Sequence, residues 1–572
     1  MAVLQPLVDL AAICYLHGVR HVVLSPGSRS AALTLAFSRH KDFEMHPVMD
    51  ERSAGFIALG IAQQTGVPVV LICTSGSAAY NFAPAIAEAF FQQIPLLVLT
   101  ADRPKEWTHQ FDGQTIYQTE IYGKHVKKFF EFPSDYAHSD AIWAINRISN
   151  EAVNLAGNLP FGPVHINVPI REPFYPLDTD SLLAPTNLRI TVQTVPEPAL
   201  TIDDWNVLLD EWDDSGRILI VGGQHQRCEK LNHALSKITE ELDVPVVADS
   251  IANLSGSELF IHHHDLILAS NKNQEELVPD LLITYGLSMM SKELKTFLRD
   301  NPARKHWHIG NDGVWADPLK SVTRQIAVNA SWFFETIFEK IDYQLFVQNA
   351  DAENDPSYMD NWRKKEQSAC REQEDFLTNL TSLTDLSAIN SVISNLSGSN
   401  QLHVGNSMPI RYVNALGRTD KLAGLFCNRG TSGIDGSLST AIGAALVNNV
   451  PTTLIIGDVS FLYDRNGLLL KTLPSNLKIV VINNGGGNIF RMIDGPARQP
   501  ELEDYFETKH SFTARRTAED AGLVYMSASS PDSLEHSLHE FNLLEQAGLL
   551  EVFTDPEENR LTWKKFKSIT SD

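Results

Sequence analysis

Cysteine is scarce in this sequence, and long apolar runs are absent. Its 572 residues include five cysteines, none of them in a CxxC pair, and an odd number argues against a disulfide framework. The longest apolar runs, such as residues 67–73, are far shorter than the roughly 20 residues that cross a bilayer as a helix. The first residues lack the basic leader of a signal peptide. We therefore expect a cytoplasmic protein with no membrane span.

Positive charge is also in short supply. The chain carries 46 lysines and arginines against 70 acidic residues, which gives a net charge of −24. Such a surface is a poor match for nucleic acid or an anionic membrane. Any anionic ligand must therefore be bound by local cations, so the positions of individual arginines are informative.

The sequence contains short β-rich apolar runs that alternate with helical patterns, and this alternation is typical of parallel α/β domains. The length predicts several domains, and we place them at residues 1–180, 200–342 and 377–572. The proline-rich stretch 173–198 predicts an interdomain linker. The polar stretch 347–376 predicts a solvated linker that continues into a surface helix.

The third predicted domain repeats the plan of the first. Residues 21–30 have a counterpart at 402–411, and residues 49–72 have one at 430–456. In the longer pair, a helix of small residues leads to a Val-Pro turn and a buried strand. Order and spacing agree although residue identity is weak, so we interpret the two as a duplicated α/β unit. Two unrelated α/β domains remain the alternative.

Two strand ends in the third domain carry polar residues and glycines. Residues 477–490 read LKIVVINNGGGNIF, a buried run followed by two amides and three glycines, which is more than a turn needs. Another buried run, residues 452–458, ends in Gly457 and Asp458. Ligands of parallel sheets gather beyond the carboxyl ends of the strands, so we expect Asp458 and Asn484 to lie side by side.

Carboxylate and amide oxygens of this kind suit Mg²⁺, which keeps part of its shell for phosphate and water. The glycines let the backbone approach the ion, and the carbonyl of Gly486 is the best candidate for a further ligand. The amides of Val459 and Ser460 would meet phosphates at a helix N-terminus. Each feature is weak alone, since Gly-Asp at a strand end is more often only a turn.

Together these features resemble the metal–diphosphate motif of thiamine-diphosphate enzymes, although many of those have a glycine where this chain has Val459. Such enzymes also need a Glu that hydrogen-bonds N1′ of the aminopyrimidine. Glu51 is the candidate, because it follows the apolar-flanked HPVMD and opens a helix rich in Ala and Gly, at a positive helix end. The alternative is that Glu51 is only a helix-end charge.

Longer motifs make the resemblance specific. The chain resembles the 2-succinyl-5-enolpyruvyl-6-hydroxy-3-cyclohexene-1-carboxylate synthase family of the menaquinone pathway, well in the first and third domains and loosely in the middle one. The discriminating motifs are SPGSRS (25–30), LTADRP (99–104) and NRGTSGIDG (428–436).

This resemblance implies a fold, cofactors and a reaction. The fold has three α/β domains with parallel sheets, in which duplicated pyrimidine-binding and diphosphate-binding domains flank a central domain. The cofactors are thiamine diphosphate and Mg²⁺, with Mn²⁺ as an alternative metal. The reaction is decarboxylation of 2-oxoglutarate and conjugate addition of the succinyl carbanion to isochorismate, which yields 2-succinyl-5-enolpyruvyl-6-hydroxy-3-cyclohexene-1-carboxylate and CO₂. The resemblance also implies a homodimer or homotetramer, since Glu51 and Asp458 meet across a dimer interface in this superfamily.

The two substrates together carry four carboxylates, which predicts a site rich in cations. The sequence supplies Arg29, Arg103, Arg411 and Arg429, which we expect at loop positions next to strands. Arginine binds carboxylates in a bidentate manner better than lysine does. Any one of these arginines could be a surface ion pair, but four of them in an acidic protein are harder to dismiss.

The resemblance assigns roles residue by residue, with Glu51 as the catalytic residue. Ser28, Arg29, Arg103 and Gln114 would line the isochorismate side, and Ser407 and Arg411 would meet the succinyl carboxylate. The full expected sets are Ser25, Glu51, Ile434, Gly457, Val459, Ser460 and Asn484 for the cofactor, Asp458, Asn484 and Gly486 for the metal, and Ser28, Arg29, Arg103, Gln114, Lys292, Ser407, Arg411, Arg429 and Phe490 for substrates. Ile434 would lie under the bent cofactor, and Phe490 would wall the pocket. Arg429 could serve either substrate, and Glu293 stands where many members have a basic residue.

Three other functions remain as alternatives. An acetolactate-synthase-like 2-oxo-acid decarboxylase would need fewer substrate cations, and a non-catalytic relative would be expected to have lost Glu51 or a metal ligand. An NAD-linked oxidoreductase is disfavoured because GxGxxG is absent, although residues 219–226 resemble the start of a nucleotide-binding fold. The histidines of residues 261–265 are interpreted as a plain loop, because adjacent side chains point in different directions.

Overall fold

The computed structural model describes residues 5–570 apart from residues 173, 176–184, 186–187, 257, 270–273, 311–312, 349–355, 418 and 420. The described residues form three β-sheets of six, five and six strands, and every strand pair is parallel. Helices cover the faces of the sheets, because parallel strands are joined by crossovers that are usually helical. The predicted fold class of three parallel α/β domains is confirmed, while the exact domain boundaries stay predictions.

The first sheet has the strand order β2-β1-β3-β4-β6-β5. Its central strands are fully buried, as expected for strands covered on both faces. The strands are β1 (His21–Leu24), β2 (Glu44–Pro47), β3 (Val69–Cys73), β4 (Leu96–Asp102), β5 (Phe129–Glu131) and β6 (Val164–Pro169). The helices are α1 (Gln5–Leu16), α2 (Ala31–Ser38), α3 (Glu51–Thr65), α4 (Ser77–Asn81), α5 (Ala83–Phe91) and α6 (Ser139–Gly157).

The second sheet has the order β11-β10-β9-β7-β8. It has an apolar core of its own, which includes the buried rings of Trp307 and Phe333. The strands are β7 (Ile218–Gly222), β8 (Val246–Ala248), β9 (Leu281–Tyr285), β10 (Lys305–Ile309) and β11 (Arg324–Ile326). The helices are α7 (Ile202–Asp213), α8 (Glu229–Glu241), α9 (His264–Ile267), α10 (Lys292–Asp300) and α11 (Ala330–Gln348).

The third sheet has the order β13-β12-β14-β15-β17-β16, which is the order of the first sheet position for position. The predicted duplication is therefore confirmed at the level of topology. The strands are β12 (Gln401–Val404), β13 (Gly424–Phe426), β14 (Thr452–Gly457), β15 (Leu477–Asn483), β16 (Val524–Ala528) and β17 (Gly548–Phe553). Helix α12 (Pro356–Thr378) precedes this domain, whose helices are α13 (Asp385–Ser394), α14 (Met408–Leu416), α15 (Ser437–Val447), α16 (Asp458–Asp464), α17 (Asp494–Ala497), α18 (Arg515–Asp520), α19 (Pro531–Asn542) and α20 (Pro556–Phe566).

Sequence patterns missed the edge strands β2, β5, β11, β13 and β16, which are only three to five residues long. Edge strands are short and half exposed, so they lack the apolar run that marks a central strand. The interior strand β17 was also missed, and it carries a charged residue at its centre. Glu551 is buried there and accepts hydrogen bonds from Asn483, from the amide of Ala514 and from the Tyr525 hydroxyl.

Helices α3 and α15 hold the first and third domains together. The sequence predicts one apolar face for α3 and a stop at Gly66. The stop is confirmed by the left-handed conformation of Gly66, and the predicted apolar face is buried, but the structure also buries every other residue from Ser53 to Gln63. The reason is that α3 packs on its own sheet and also on α15. A Cβ at Gly60 would lie 2.1 Å from the carbonyl oxygen of Thr440, and one at Gly443 would lie equally close to that of Ile57.

Helix α12, the longest helix among the described residues, differs from the prediction for residues 347–376. It is not only a surface helix, because Tyr358, Trp362 and Gln373 are buried. Residues 349–355 of that segment lie outside the described residues, as do most residues between 173 and 187 in the proline-rich stretch. Among the described residues, no helix is both long and apolar enough to cross a membrane.

Residues 261–265 are not a plain loop as interpreted, because His264 begins α9 and the side chains of His263 and His264 join a buried polar network. His263 bonds to Glu366 (2.7 Å), and His264 bonds to Asp249 (3.2 Å). Asp249 also accepts a hydrogen bond from Asn414 of the third domain. Burial lowers the pKa of His264, but the bond to Asp249 and nearby acidic charges outweigh it and raise that pKa to about 9. The network therefore joins the second domain to the third.

Candidate active site

A cavity of about 340 Å³ opens at the carboxyl edge of the third sheet. It lies beyond β14 and β15, where an open parallel sheet is expected to bind ligands. Its lining extends from Asp385 to Thr508 and so comes from the third domain. Nine of the residues predicted from the sequence line it together: Ser407, Ile434, Gly457, Asp458, Val459, Ser460, Asn484, Gly486 and Phe490.

Asp458 and Asn484 are brought together as expected. They follow the paired strands β14 and β15, in which Gly457 lies opposite Ile482. One carboxylate oxygen of buried Asp458 accepts hydrogen bonds from the amides of Gly485 (2.8 Å) and Gly486 (3.0 Å). These bonds fix the carboxylate against the glycine loop.

The side chain of Asn484 is oriented by a residue that the sequence did not point to. Its amide nitrogen donates to a carboxylate oxygen of Asp385 (2.9 Å), so its amide oxygen points away from Asp385. That oxygen is buried and has no hydrogen-bond partner among the described residues. A buried acceptor without a partner is costly, and a hard cation would satisfy it. The donor set therefore fits a metal ion such as Mg²⁺.

Asp385 is itself held by two further donors, the hydroxyl of Thr554 (2.6 Å) and the amide of Asn559 (2.8 Å). Complete burial raises the pKa of Asp385 to about 6, although these hydrogen bonds act in the opposite direction. Asp385 lies 99 positions from Asn484 in the sequence, so no local motif could identify it.

Glycine is required at the loop that faces the metal ligands. Gly485 and Gly486 have φ angles of +78° and +156°, which side-chain-bearing residues rarely adopt. A Cβ at Gly486 would also lie 2.8 Å from the carbonyl oxygen of Glu507. This backbone path explains the first two of the three glycines that stand out in the sequence.

Helix α16 begins at Asp458, so Val459 and Ser460 are in its first turn, as expected. The amide of Val459 donates to the carboxylate of Asp458 (2.7 Å). The hydroxyl of Ser460 donates to the carbonyl of Ile434 (2.9 Å) and ties the loop before α15 to this turn. Ile434 is thereby positioned at the wall of the cavity.

Two cavity neighbours were missed by the sequence analysis. His510 Nε2 lies 3.4 Å from the carboxylate of Asp458, and this contact raises the pKa of His510. Asn488 lines the cavity, and both polar atoms of its side chain are buried without a partner among the described residues. Asn488 directly follows the triple glycine, and this position in the sequence could have identified it as a residue of the site.

We expect Asp385→Asn to weaken metal-dependent cofactor binding by about 10–100-fold, which is the usual loss when a residue that orients a metal ligand is replaced. The new amide must face three donors with one acceptor oxygen, so Asn484 loses its fixed orientation. Calorimetric titration of thiamine diphosphate at several Mg²⁺ concentrations measures the effect. Thr554→Val is the matched control, since it removes another bond to Asp385 but leaves the bond to Asn484. Equal cofactor affinity in Asp385→Asn and wild type would contradict the orienting role.

Arg411 and Arg429 lie in the same region as the half-buried Lys295 on α10. The positive charge of each arginine contributes to lowering the pKa of Lys295. Burial is the largest cause of that shift.

Arg411 is in α14 and not in a loop as expected, and it donates to the carbonyl of Ser407. Arg429 follows β13 and donates to Asn406 (3.0 Å). Lys292, the lysine predicted from the sequence, is exposed, and its role stays a prediction. Three cations therefore surround one region beside the cavity.

Glu293 places a negative charge in the same region. Its carboxylate pairs with Lys567, and its charge acts to raise the pKa of Arg411. Burial outweighs this effect and lowers the pKa of Arg411 overall. Glu293, which stands where many family members have a basic residue, thus partly neutralises the positive charge of Arg411, Arg429 and Lys295.

A second cation group lies in the first domain. The buried guanidinium of Arg29 has its pKa lowered by burial and by the nearby charge of Arg103. Arg29 stacks over Phe174, while Arg103 pairs with Asp112. Ser28 and Gln114 are exposed on this domain, and Ser25 is buried with its hydroxyl unpartnered among the described residues.

Glu51 opens α3 as predicted, and it is half buried. Asp50 caps the helix by accepting from the amides of Arg52 (2.9 Å) and Ser53 (3.3 Å). Burial raises the pKa of the Cys73 thiol at the end of β3, and the nearby charge of Glu51 raises it further. Glu51 is thus fixed at the carboxyl edge of the first sheet.

Within one chain, the residues beside Glu51 contact the third domain. Asn466 donates to Asp50 (2.8 Å), and Arg52 donates to the carbonyl of Tyr463 (2.6 Å). The carboxylate of Glu88 accepts bonds from the loop at Gly430 and Thr431. Hydrogen bonds therefore connect the first and third domains, although the lining of the third-domain cavity does not include Glu51.

Duplicated parallel domains with a Gly-Asp and an Asn-Asn at neighbouring strand ends define a class of protein. The family model described as the N-terminal binding domain of thiamine pyrophosphate enzymes matches residues 9–126, which cover the first sheet as far as β4 and include Glu51. The chain is a thiamine-diphosphate-dependent enzyme of the transferase type.

Comparison with known proteins identifies the family. The chain is 42% identical to the 2-succinyl-5-enolpyruvyl-6-hydroxy-3-cyclohexene-1-carboxylate synthase of Cytophaga hutchinsonii, over 99% of this chain and 98% of that protein. It is 35% identical to the synthase of the same name from Flavobacterium johnsoniae, over 98% of both chains. Identity to that of Porphyromonas gingivalis is 36%, over 96% of this chain and 94% of that one. The chain belongs to the 2-succinyl-5-enolpyruvyl-6-hydroxy-3-cyclohexene-1-carboxylate synthase family.

Proposed function

We propose that this enzyme decarboxylates 2-oxoglutarate and adds the resulting succinyl group to isochorismate, which gives 2-succinyl-5-enolpyruvyl-6-hydroxy-3-cyclohexene-1-carboxylate and CO₂. The observation that carries the proposal is the third-domain cavity, in which Asp458 lies beside the Asn484 oxygen that has no partner in the described part of the chain. The two cation groups give the charge that dicarboxylate substrates require. The names of the relatives agree with this reaction.

Asp458, Asn484 and the carbonyl of Gly486 would hold the metal ion, which we propose to be Mg²⁺, with Mn²⁺ able to replace it. Both are hard cations that accept an oxygen-only set of ligands. The first turn of α16, with Gly457, Val459 and Ser460, would hold the diphosphate. Ile434 would support the thiazolium side of the cofactor, and Ser25 would contribute from the first domain.

When bound, thiamine diphosphate supplies the electron sink that loss of CO₂ from a 2-oxo acid needs. Glu51 would hold a proton at N1′ of the aminopyrimidine, a position that its place at the helix start and its partial burial support. Because the cavity lining of a single chain does not include Glu51, we propose that two subunits pair. Glu51 of one subunit would then face the cavity of the other in a homodimer or a homotetramer.

The two cation groups would divide the substrates between them. Arg29 and Arg103, with Ser28 and Gln114, would bind the isochorismate carboxylates. Arg411 and Ser407 would bind the distal carboxylate of 2-oxoglutarate, and Arg429 lies close enough to Arg411 to assist. Phe490 would close the apolar side of the pocket, while the exposed Lys292 is a weaker candidate than Lys295.

A direct assay tests the proposed reaction. Purified enzyme with thiamine diphosphate and Mg²⁺ is supplied with 2-oxoglutarate and isochorismate, and CO₂ and the coupled product are measured. Pyruvate alone serves as the substrate control. CO₂ release from pyruvate without any use of isochorismate would favour the acetolactate-synthase-like alternative.

We expect Arg411→Ala to raise the KM for 2-oxoglutarate, since a lost charge-assisted carboxylate contact costs about 1.5–3 kcal/mol, or about 10–150-fold. Residual decarboxylation of pyruvate, which lacks the distal carboxylate, should change little. Steady-state kinetics with both acids measures the difference. Arg498→Ala is the control, because Arg498 is an exposed arginine paired only loosely with Asp494. Equal losses for the two acids would show that Arg411 supports the site in general.

A further inference from the structure

His21, Glu44 and His46 bring three ligand side chains together on the first domain, away from the strand ends described above. His21 and Glu44 are the first residues of β1 and β2 and are direct partners in the parallel pairing. His46 follows Glu44 by two positions, so it lies on the same face of the edge strand β2. The three side chains therefore share one face of the sheet.

The ligand atoms of these residues converge. His21 Nδ1 lies 3.3 Å from His46 Nε2 and 3.5 Å from Glu44 Oε2. All three atoms lie within 4.8 Å of one another, and no other group of three His, Cys, Asp or Glu side chains does so among the described residues. Ligands about 2.0–2.1 Å from a tetrahedral zinc ion are separated by about 3.3 Å. The observed spacing thus matches that of a metal site.

The chemistry of the three side chains favours a transition metal. Two imidazoles and one carboxylate suit Zn²⁺ and similar ions, whereas Mg²⁺ prefers oxygen alone. The neutral imidazole is the form that binds a metal ion. When no ion is bound, a neutral His21 ring can hydrogen-bond to His46 or to Glu44. The side chain of Glu44 is 68% exposed, which leaves a path for the ion and room for a water ligand.

We propose that His21, Glu44 and His46 form a binding site for a divalent transition-metal ion, with Zn²⁺ as the test ion. The bound ion would fasten the edge strand β2 to β1. These strands lead directly to Glu51 and to Ser25, so the ion would stabilise the framework of the first domain without taking part in the reaction. The site is separate from the one proposed for Mg²⁺.

Chelator-treated enzyme, saturated with Mg²⁺ and thiamine diphosphate to fill the other site, is titrated with Zn²⁺ against a chromophoric zinc chelator. We expect one zinc ion per chain, and we expect His21→Ala and His46→Ala to weaken its binding by at least about 10–100-fold. Co²⁺ in place of Zn²⁺ should give a visible absorption band in wild type that both variants lose. His536→Ala is the matched control, because His536 and Glu540 form an exposed pair on α19.

Glu44→Gln provides a variant that should fold, because Glu44 is largely exposed. It should weaken zinc binding, and the rise in melting temperature caused by Zn²⁺ should shrink with it, since a ligand of the native state stabilises that state. Wild-type zinc affinity in Glu44→Gln and in a folded histidine variant would overturn the proposal. So would the absence of a zinc-dependent rise in melting temperature in the wild type.

Discussion

Glu51→Gln is expected to slow exchange of the C2 proton of bound thiamine diphosphate by about 10²–10⁴-fold, the usual cost of losing a positioned proton-transfer group. The amide keeps the size of the side chain and can still form a hydrogen bond. It cannot hold a proton at N1′ as a carboxyl group does. Deuterium exchange at C2, followed by quenched-flow NMR, measures the effect directly.

Cofactor and metal binding should survive in this variant, because their proposed anchors lie in the third domain. Loss of a helix-end charge alone costs only about 0.3–1 kcal/mol in stability. Glu229→Gln is therefore the matched control, since Glu229 opens α8 as Glu51 opens α3. If Glu51→Gln binds cofactor normally and exchanges the C2 proton at the wild-type rate, Glu51 is only a helix-end charge.

Asp458→Ala is expected to weaken Mg²⁺-dependent binding of thiamine diphosphate by more than about 100-fold, since replacing even an outer partner of a metal ligand costs 10–100-fold. The change removes the one carboxylate proposed to contact the metal. It also removes the acceptor of the Gly485 and Gly486 amides, so the glycine loop loses its anchor. Calorimetric titration with and without a chelator measures the binding.

Two controls separate metal ligation from folding. Asp458→Asn keeps an acceptor for the loop amides but loses the charge, so it should retain the fold and still bind cofactor poorly. Asp494→Ala removes an exposed acidic residue from the start of another helix and should have no effect. Unchanged cofactor affinity in Asp458→Ala would remove Asp458 from the metal site.

The same two variants test the proposed pairing of subunits. A mixture of Glu51→Gln and Asp458→Ala chains should regain about a quarter of wild-type activity, because half of randomly paired dimers contain one intact shared site of two. If each site instead belonged to a single chain, every site in the mixture would carry one defect. No activity would then return after subunits are exchanged.

The class of the fold and much of the cavity could be predicted from the sequence alone. Apolar runs marked the central strands, and the order of motifs revealed the duplication that the two identical strand orders confirm. Asp458 and Asn484 could be placed side by side, because parallel strands bring their carboxyl ends to one edge. These inferences succeed because they rest on local spacing and on the rules of parallel sheets.

The orientation and burial of the side chains depend on tertiary contacts that the sequence does not reveal. Asp385 orients Asn484 from 99 positions away, and α3 is buried on all sides because α15 covers the face that its own sheet leaves open. The convergence of His21 and His46 likewise depends on the register between β1 and β2. Contacts of this kind join residues that are distant in the sequence, so neither local propensity nor motif spacing can encode them, and the fold must be in place before they exist.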